Sequence, residues 1–249
     1  MEQSRTKNSM FNVGTGFFNT IAKTIITFIT RTVFIKILGE IYLGLNGLLT
    51  NILSMLSIAE LGIGTAISFS LYKPLADKNH NKINKLMTFY RKAYSAIGVV
   101  ILICGIILIP FLKFILAENA NVEDIYLIYF IYLINTVSTY FISYKEVLII
   151  ADQKNYKLTK INFLFDIILN FLQIIALIVL KNFIIYLIVQ MIIEIIRRIF
   201  INKFISKEYK DISFSTKEKI DDEDKKVLMN NVKAMFLHKI GDYSINRNR

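Results

Sequence analysis

Cysteine, histidine and proline are nearly missing from this chain, and each scarcity closes off a class of answer. Cys104 stands alone inside an apolar run, so neither a disulfide within the chain nor a cysteine-metal site is available. His80 and His238 lie far apart in loop and terminal contexts, and a metal centre needs more ligands than that. Two prolines and ten glycines in 249 residues leave long helices uninterrupted. A cleavable leader is not expected either. The first apolar run is too long, carries Lys23 and Arg31, and lacks a small-residue cleavage pattern.

What the chain has in excess is apolar sequence. Hydrophobic residues make up 54% of it and the mean hydropathy is +0.49, outside the range of soluble globular domains. Six long apolar runs predict helices near 11–38, 41–72, 94–116, 125–149, 160–180 and 183–205. The stretches 94–112 and 125–144 hold no charge, and an uncharged run of about 18 residues can cross a bilayer core. The expectation is an all-α membrane protein, a six-helix transmembrane bundle.

A net charge of +11 would in a soluble protein raise the question of nucleic acid. Here the basic residues sit between the apolar runs, which reads as orientation in a bilayer, with no nucleic-acid partner. Segment 73–92 has Lys73, Lys78, Lys82, Lys85, Arg91 and Lys92, and segment 145–160 has Lys145, Lys154, Lys157 and Lys160. The alternate connections are poor: none at 38–41, Lys113 against Glu118, Glu123 and Asp124, and then Lys181. Positive-rich loops stay cytoplasmic. Six spans with both termini inside, in the cytoplasmic (inner) membrane, fit this alternation, and the external connections are too short to form a domain.

Ionisable groups within such spans cost about 2.5–3.5 kcal/mol each on insertion scales and are functional candidates. Lys23 and Arg31 lie about 12 Å apart along a helix and about 80° around it, with Thr20, Thr24 and Thr27 on the same side; they line a cavity or snorkel to an interface. Glu60 shares a face with Ser57, Gly64 and Ser68 and serves either in transport or in an ion pair with Lys23 or Arg31. Asn162, Asp166, Asn170 and Gln173 form a narrow polar arc on the fifth run. Gln190, Glu194 and Arg197 read as an interfacial group, and Asn135, Ser138, Thr139 and Ser143 suit interhelical hydrogen bonds or a cavity wall. Tyr90, Tyr94, Tyr126, Tyr129 and Tyr144 read as an aromatic belt near the span ends.

The ordered set Arg31-Thr-Val-Phe-Ile-Lys-Ile-Leu-Gly-Glu40, Tyr42-Leu-Gly-Leu-Asn-Gly-Leu48, Ala59-Glu-Leu-Gly-Ile-Gly-Thr-Ala66, Leu71-Tyr-Lys-Pro-Leu-Ala76 and Tyr90-Arg-Lys-Ala-Tyr94 resembles the N-terminal third of bacterial polysaccharide flippases. These are the repeat-unit exporters of the multidrug/oligosaccharidyl-lipid/polysaccharide superfamily. The resemblance implies one lobe of a MATE-like transporter. It would translocate undecaprenyl-diphosphate-linked oligosaccharide by alternating access, opposite a second six-helix lobe. Arg31 matches the arginine late in the family's first helix, which implies a diphosphate contact, and Lys23 is carried over beside it. Glu60, Asp166, Asn170 and Gln173 are further substrate-binding candidates with no fixed family role. No cofactor is implied.

The family has 12 to 14 spans, whereas this sequence reads as a lobe at 1–205, a charged cytoplasmic linker at 206–230 and a truncated start of a second lobe at 231–249. Other readings therefore stand beside the flippase lobe. One is a cation-coupled drug antiporter of the same superfamily, which would favour acidic cavity groups, and another is an inactive truncation product. An enzyme is not expected, because the external connections are too short to supply a nucleotide-sugar site.

Overall fold

A computed structural model describes residues 5–56, 63–115 and 124–246. Every regular element among the described residues is helical. Its helices are α1 (Arg5–Leu38), α2 (Glu40–Leu56), α3 (Ile63–Ala76), α4 (His80–Leu108), α5 (Leu112–Ile115), α6 (Ile125–Ile142), α7 (Glu146–Ala151), α8 (Asn155–Leu180), α9 (Phe183–Glu208) and α10 (Asp222–Asn246). Single 3₁₀ turns join α4 to α5 and α6 to α7.

Local chemistry sets the joints. Gly39 has φ +85° between α1 and α2, a conformation that costs glycine nothing and other residues a good deal. Asn79 caps α4 by accepting from the Lys82 amide at 3.0 Å, and Asn182 caps α9 by accepting from the Ile185 amide at 3.0 Å. Lys181 ends α8 in the left-handed region at φ 49°.

Three described stretches are long and apolar enough to cross a membrane: His80–Phe111, Ile125–Ala151 and Asn155–Leu180. Of the other expected spans, α9 carries Glu194, Arg197 and Arg198 in its middle, and α1 carries Lys23 and Arg31 among threonines. The run expected as one helix over 41–72 comprises α2 and α3, with 57–62 outside the described residues. Glu60 and Ser57 lie there.

The basic connection expected at 73–92 is mostly helix. α3 runs to Ala76 and α4 starts at His80, because Ile83, Leu86, Met87 and Tyr90 are buried and give this lysine-rich stretch an apolar face. Likewise α8 begins at Asn155 and α9 continues to Glu208, with α10 beginning inside the segment read as a linker.

The core lies where α4 meets α6, flanked by α2, α3, α7 and α9. Small residues let the backbones close up there. A Cβ on Gly105 would stand 2.3 Å from Leu133 Cδ1, and one on Gly98 would stand 2.9 Å from Tyr140 Cβ. Tyr129, fully buried, donates its hydroxyl to the Gly105 carbonyl at 2.8 Å. The belt expected from the tyrosines is corrected accordingly. Tyr90, Tyr94, Tyr129 and Tyr144 are buried and only Tyr126 of the five is exposed, since each phenol finds packing inside the bundle that the membrane surface would not supply.

α1 packs mainly along α8. The contacts Asn12–Tyr156, Lys23–Asp166 and Thr30–Asn170 advance together along both chains, so the two helices are parallel. α9 returns antiparallel to α8, as Lys157–Glu208, Asp166–Arg197 and Gln173–Gln190 show.

Away from the apolar stretches, residues 209–224 are tied to the start of α4. The Ser213 and Thr216 amides donate to Asn84 Oδ1 and Thr88 Oγ1 at 2.8 and 3.0 Å. Lys82 pairs with Asp224 at 2.8 Å and Lys85 with Asp221 at 3.1 Å. Nearby, Tyr209 donates to Asp152 at 2.7 Å. Burial, and then that carboxylate, push the Tyr209 phenol far above its usual range.

Candidate functional site

Two polar cavities lie inside this largely apolar bundle and share a wall made by Thr139, Ser143 and Glu146. The larger, about 920 Å³, reaches from Thr50 and Ser54 on α2 and Thr65 and Ser68 on α3 to Tyr90 and Tyr94 on α4 and Asn135 on α6, with Gln190 of α9 at one side. The smaller, about 380 Å³, sits among α1, α6, α8 and α9 and is lined by Asn19, Lys23, Asn162, Asp166, Arg197 and Arg198, among others.

Asp166 is the hub of the smaller cavity. It is 5% exposed, and burying a carboxylate without partners would be prohibitive. Arg197 donates to its Oδ1 at 3.0 Å, while Lys23 Nζ stands 3.2 Å from Oδ2. The Lys23 contact lacks hydrogen-bond geometry but satisfies the charge. The partners differ in exposure. The Lys23 side chain is 56% exposed and that of Arg197 20%, so the arginine pair is the better shielded from solvent.

The network continues along α9. Arg197 also pairs with Glu194 one turn back, and Arg198 reaches the same carboxylate at 3.5 Å. Arg198 then donates to Asn135 Oδ1 at 2.9 Å and Ser138 Oγ at 2.8 Å, fastening α9 to α6. Glu146 faces this group from α7. The cations Lys23, Arg197 and Arg198 thus meet the acids Asp166, Glu194 and Glu146, and the six together are formally neutral.

The sequence candidates divide. Lys23 and Asp166 meet in the smaller cavity. Asn170 sits one turn on, accepts from the buried Thr30 hydroxyl at 2.6 Å, and donates to the Asp166 carbonyl at 2.7 Å, so its amide holds α1 to α8. Gln173 is buried, with its Nε2 3.5 Å from Gln190 Oε1. Arg31 lines neither cavity; it is exposed and makes no ion pair or hydrogen bond among the described residues. Thr20 and Thr24 donate to carbonyls of their own helix and line neither cavity. Glu60 lies outside the described residues.

Glu194 and Arg197, expected as an interfacial group, turn inward to pair with Arg198 and Asp166 respectively. Arg198 and Glu146 are parts of the cluster that the sequence reading passed over. For Arg198 a signal existed: Glu194, Arg197 and Arg198 stand at i, i+3 and i+4 within a long apolar helix, which puts all three on one face. For Glu146, one acid beside a lysine-rich connection, nothing in the sequence distinguished it from a surface charge.

No protein-family model matches this chain, and neither a curated protein nor a solved structure matches it.

Proposed function

We propose that the chain is one lobe of a membrane transporter that moves a phosphate-bearing, lipid-linked oligosaccharide across the cytoplasmic membrane, working opposite a second lobe. The six apolar runs would be its spans, with both termini cytoplasmic. The observation that carries the transport reading is the pair of adjoining polar cavities sunk into apolar helices. Ionisable groups such as Asp166, Arg197 and Glu146 in the walls of such cavities are costly in a bilayer and are kept where a polar solute or ion passes. The resemblance over residues 31–94 supplies the substrate class. Arg31 supports it: a guanidinium in the apolar part of α1, free of carboxylates among the described residues, is available to a phosphate presented from the second lobe.

One observation favours a second reading, ion-coupled antiport. The cluster around Asp166 is neutral, not cationic, and its acids would hold an exchangeable cation as readily as its bases would hold a phosphate.

Proteoliposomes that hold this lobe with its second lobe, loaded with an undecaprenyl-diphosphate oligosaccharide carrying a fluorescent sugar, separate the two. Translocation should be lost in Arg31→Ala and partly restored in Arg31→Lys, because an ammonium cannot grip a phosphate through two parallel hydrogen bonds. Arg31 is exposed and makes no hydrogen bond or ion pair among the described residues, and the abundance of the variant in the membrane checks its folding. Wild-type rates in Arg31→Ala would remove the phosphate role. Uptake of an organic cation driven by a proton or sodium gradient, with no lipid movement, would establish antiport.

A further inference from the structure

Beside the smaller cavity, and separated from it by Asn19 and Thr159, a fissure of about 670 Å³ opens between the first half of α1 and the start of α8. Its walls are apolar: Met10, Phe11, Gly14 and Phe18 on one side, Phe163 on the other. The stretch from Met10 to Asn19 is about 13 Å long, and Phe18 meets Phe163 edge-on at 5.9 Å along it. Met10 and Phe18 are exposed, so the fissure faces outward, toward whatever surrounds the bundle.

One charge belongs to this fissure, Lys160. It makes no ion pair among the described residues, whereas the neighbouring Lys154 and Lys157 are held by Asp152 and Glu208. Its ammonium lies 5.9 Å from the centre of the Tyr156 ring, one turn toward the N-terminus of α8, which directs it to the end of the fissure away from the apolar middle of the helix. A long apolar slot with one cation, unpaired among the described residues, at one end fits an amphiphile of opposite charge.

We propose that this fissure binds one anionic phospholipid of the bilayer, its phosphate on Lys160 and its acyl chain along Gly14, Phe18 and Phe163. The site is distinct from the cavity around Asp166 and does not depend on the transport reading. It gives α1, which is poorly covered over its first half, a fixed lipid partner in place of exchanging ones.

The chain has no tryptophan, so Phe163→Trp supplies a single fluorophore in the fissure. Phe171→Trp, on an exposed part of the same helix, reports the ordinary lipid boundary. Each variant is reconstituted in phosphatidylcholine vesicles containing either brominated phosphatidylglycerol or brominated phosphatidylcholine, and quenching is compared. Phosphatidylglycerol should be preferred about fivefold at position 163, the advantage one lysine confers near an anionic headgroup, and not at position 171. In the Phe163→Trp background, Lys160→Gln should abolish the preference. Gly14→Leu, whose new Cβ meets nothing within 4 Å, should fill the slot and do the same, while Gly16→Leu, equally unobstructed and off the lining, should not. Equal quenching by both lipids at position 163, or a preference that survives both Lys160→Gln and Gly14→Leu, would leave only boundary lipid and overturn the site.

Discussion

Replacing Arg197 with glutamine tests whether the Asp166 cluster holds the bundle together. The substitution keeps polarity and most of the volume but removes the cation closest to Asp166 Oδ1, at 3.0 Å, and one of the two arginines on Glu194. Asp166 is 5% exposed, so its charge is left with the more open Lys23 as its close cation among the described residues. Breaking a buried pair from one side typically costs about 3–5 kcal/mol. The comparison is Lys23→Gln, which removes the other cation on the same carboxylate. That side chain is 56% exposed against 20% for Arg197, and its removal leaves Asp166 with the better-covered arginine, so it should cost less. Two partners of one acid, at nearly the same distance, should therefore differ in effect. Thermal unfolding of the purified protein in mild detergent, followed by circular dichroism, reads the difference at about 2–4 °C per kcal/mol for a chain of this size. Asp166→Asn and the double variant Arg197→Gln/Asp166→Asn complete the cycle. With the carboxylate charge gone, the double variant should recover much of the loss, giving a coupling of at least about 1 kcal/mol. Additive losses, or a Lys23→Gln protein as damaged as the Arg197→Gln one, would show that burial does not govern this network.

Further outcomes follow from other parts of the molecule. Gly105→Ala should lower the melting temperature by an amount equivalent to about 1–3 kcal/mol, because Leu133 Cδ1 must be displaced; Gly47→Ala on α2, with open space before it, should be neutral or slightly stabilising. Lys85→Glu should set like charges against Asp221 and Glu218 and speed limited proteolysis within 209–221 without changing cleavage elsewhere. Reporter fusions at Lys82, Lys157 and Lys217 should read cytoplasmic and one at Lys181 external; an external reading at Lys157 would break the alternation on which the six-span proposal rests.

The helical architecture was legible because apolar runs of this length have few other uses, and α6, α8 and α9 begin or end within a few residues of where those runs predict. The ends of the helices were less legible where lysines accumulate. From His80 to Lys92 the sequence reads as a solvated loop by charge count, yet every third or fourth residue is apolar and buried. Amphipathic periodicity decides helix there, and charge density only decides which face meets water.

The site was half legible for a related reason. Spacing alone placed Asp166 and Asn170 on one face of α8, and that face does turn toward α1. What spacing could not supply is which helix lies opposite. Lys23 and Arg31 share one helix and one charge, but the parallel packing of α1 on α8 carries Lys23 to Asp166 and leaves Arg31 past the last polar contact, which Thr30 makes with Asn170. The antiparallel return of α9 then delivers Arg197 to the same carboxylate from the far side. One acid with two cations from different helices is therefore a property of the packing, and a stripe on a single helix is a poor guide to the charge of the cavity it helps to line. On the proposed transport reading, Lys23 is already bound to a carboxylate, which leaves Arg31, unpaired among the described residues, as the candidate on α1 for a phosphate.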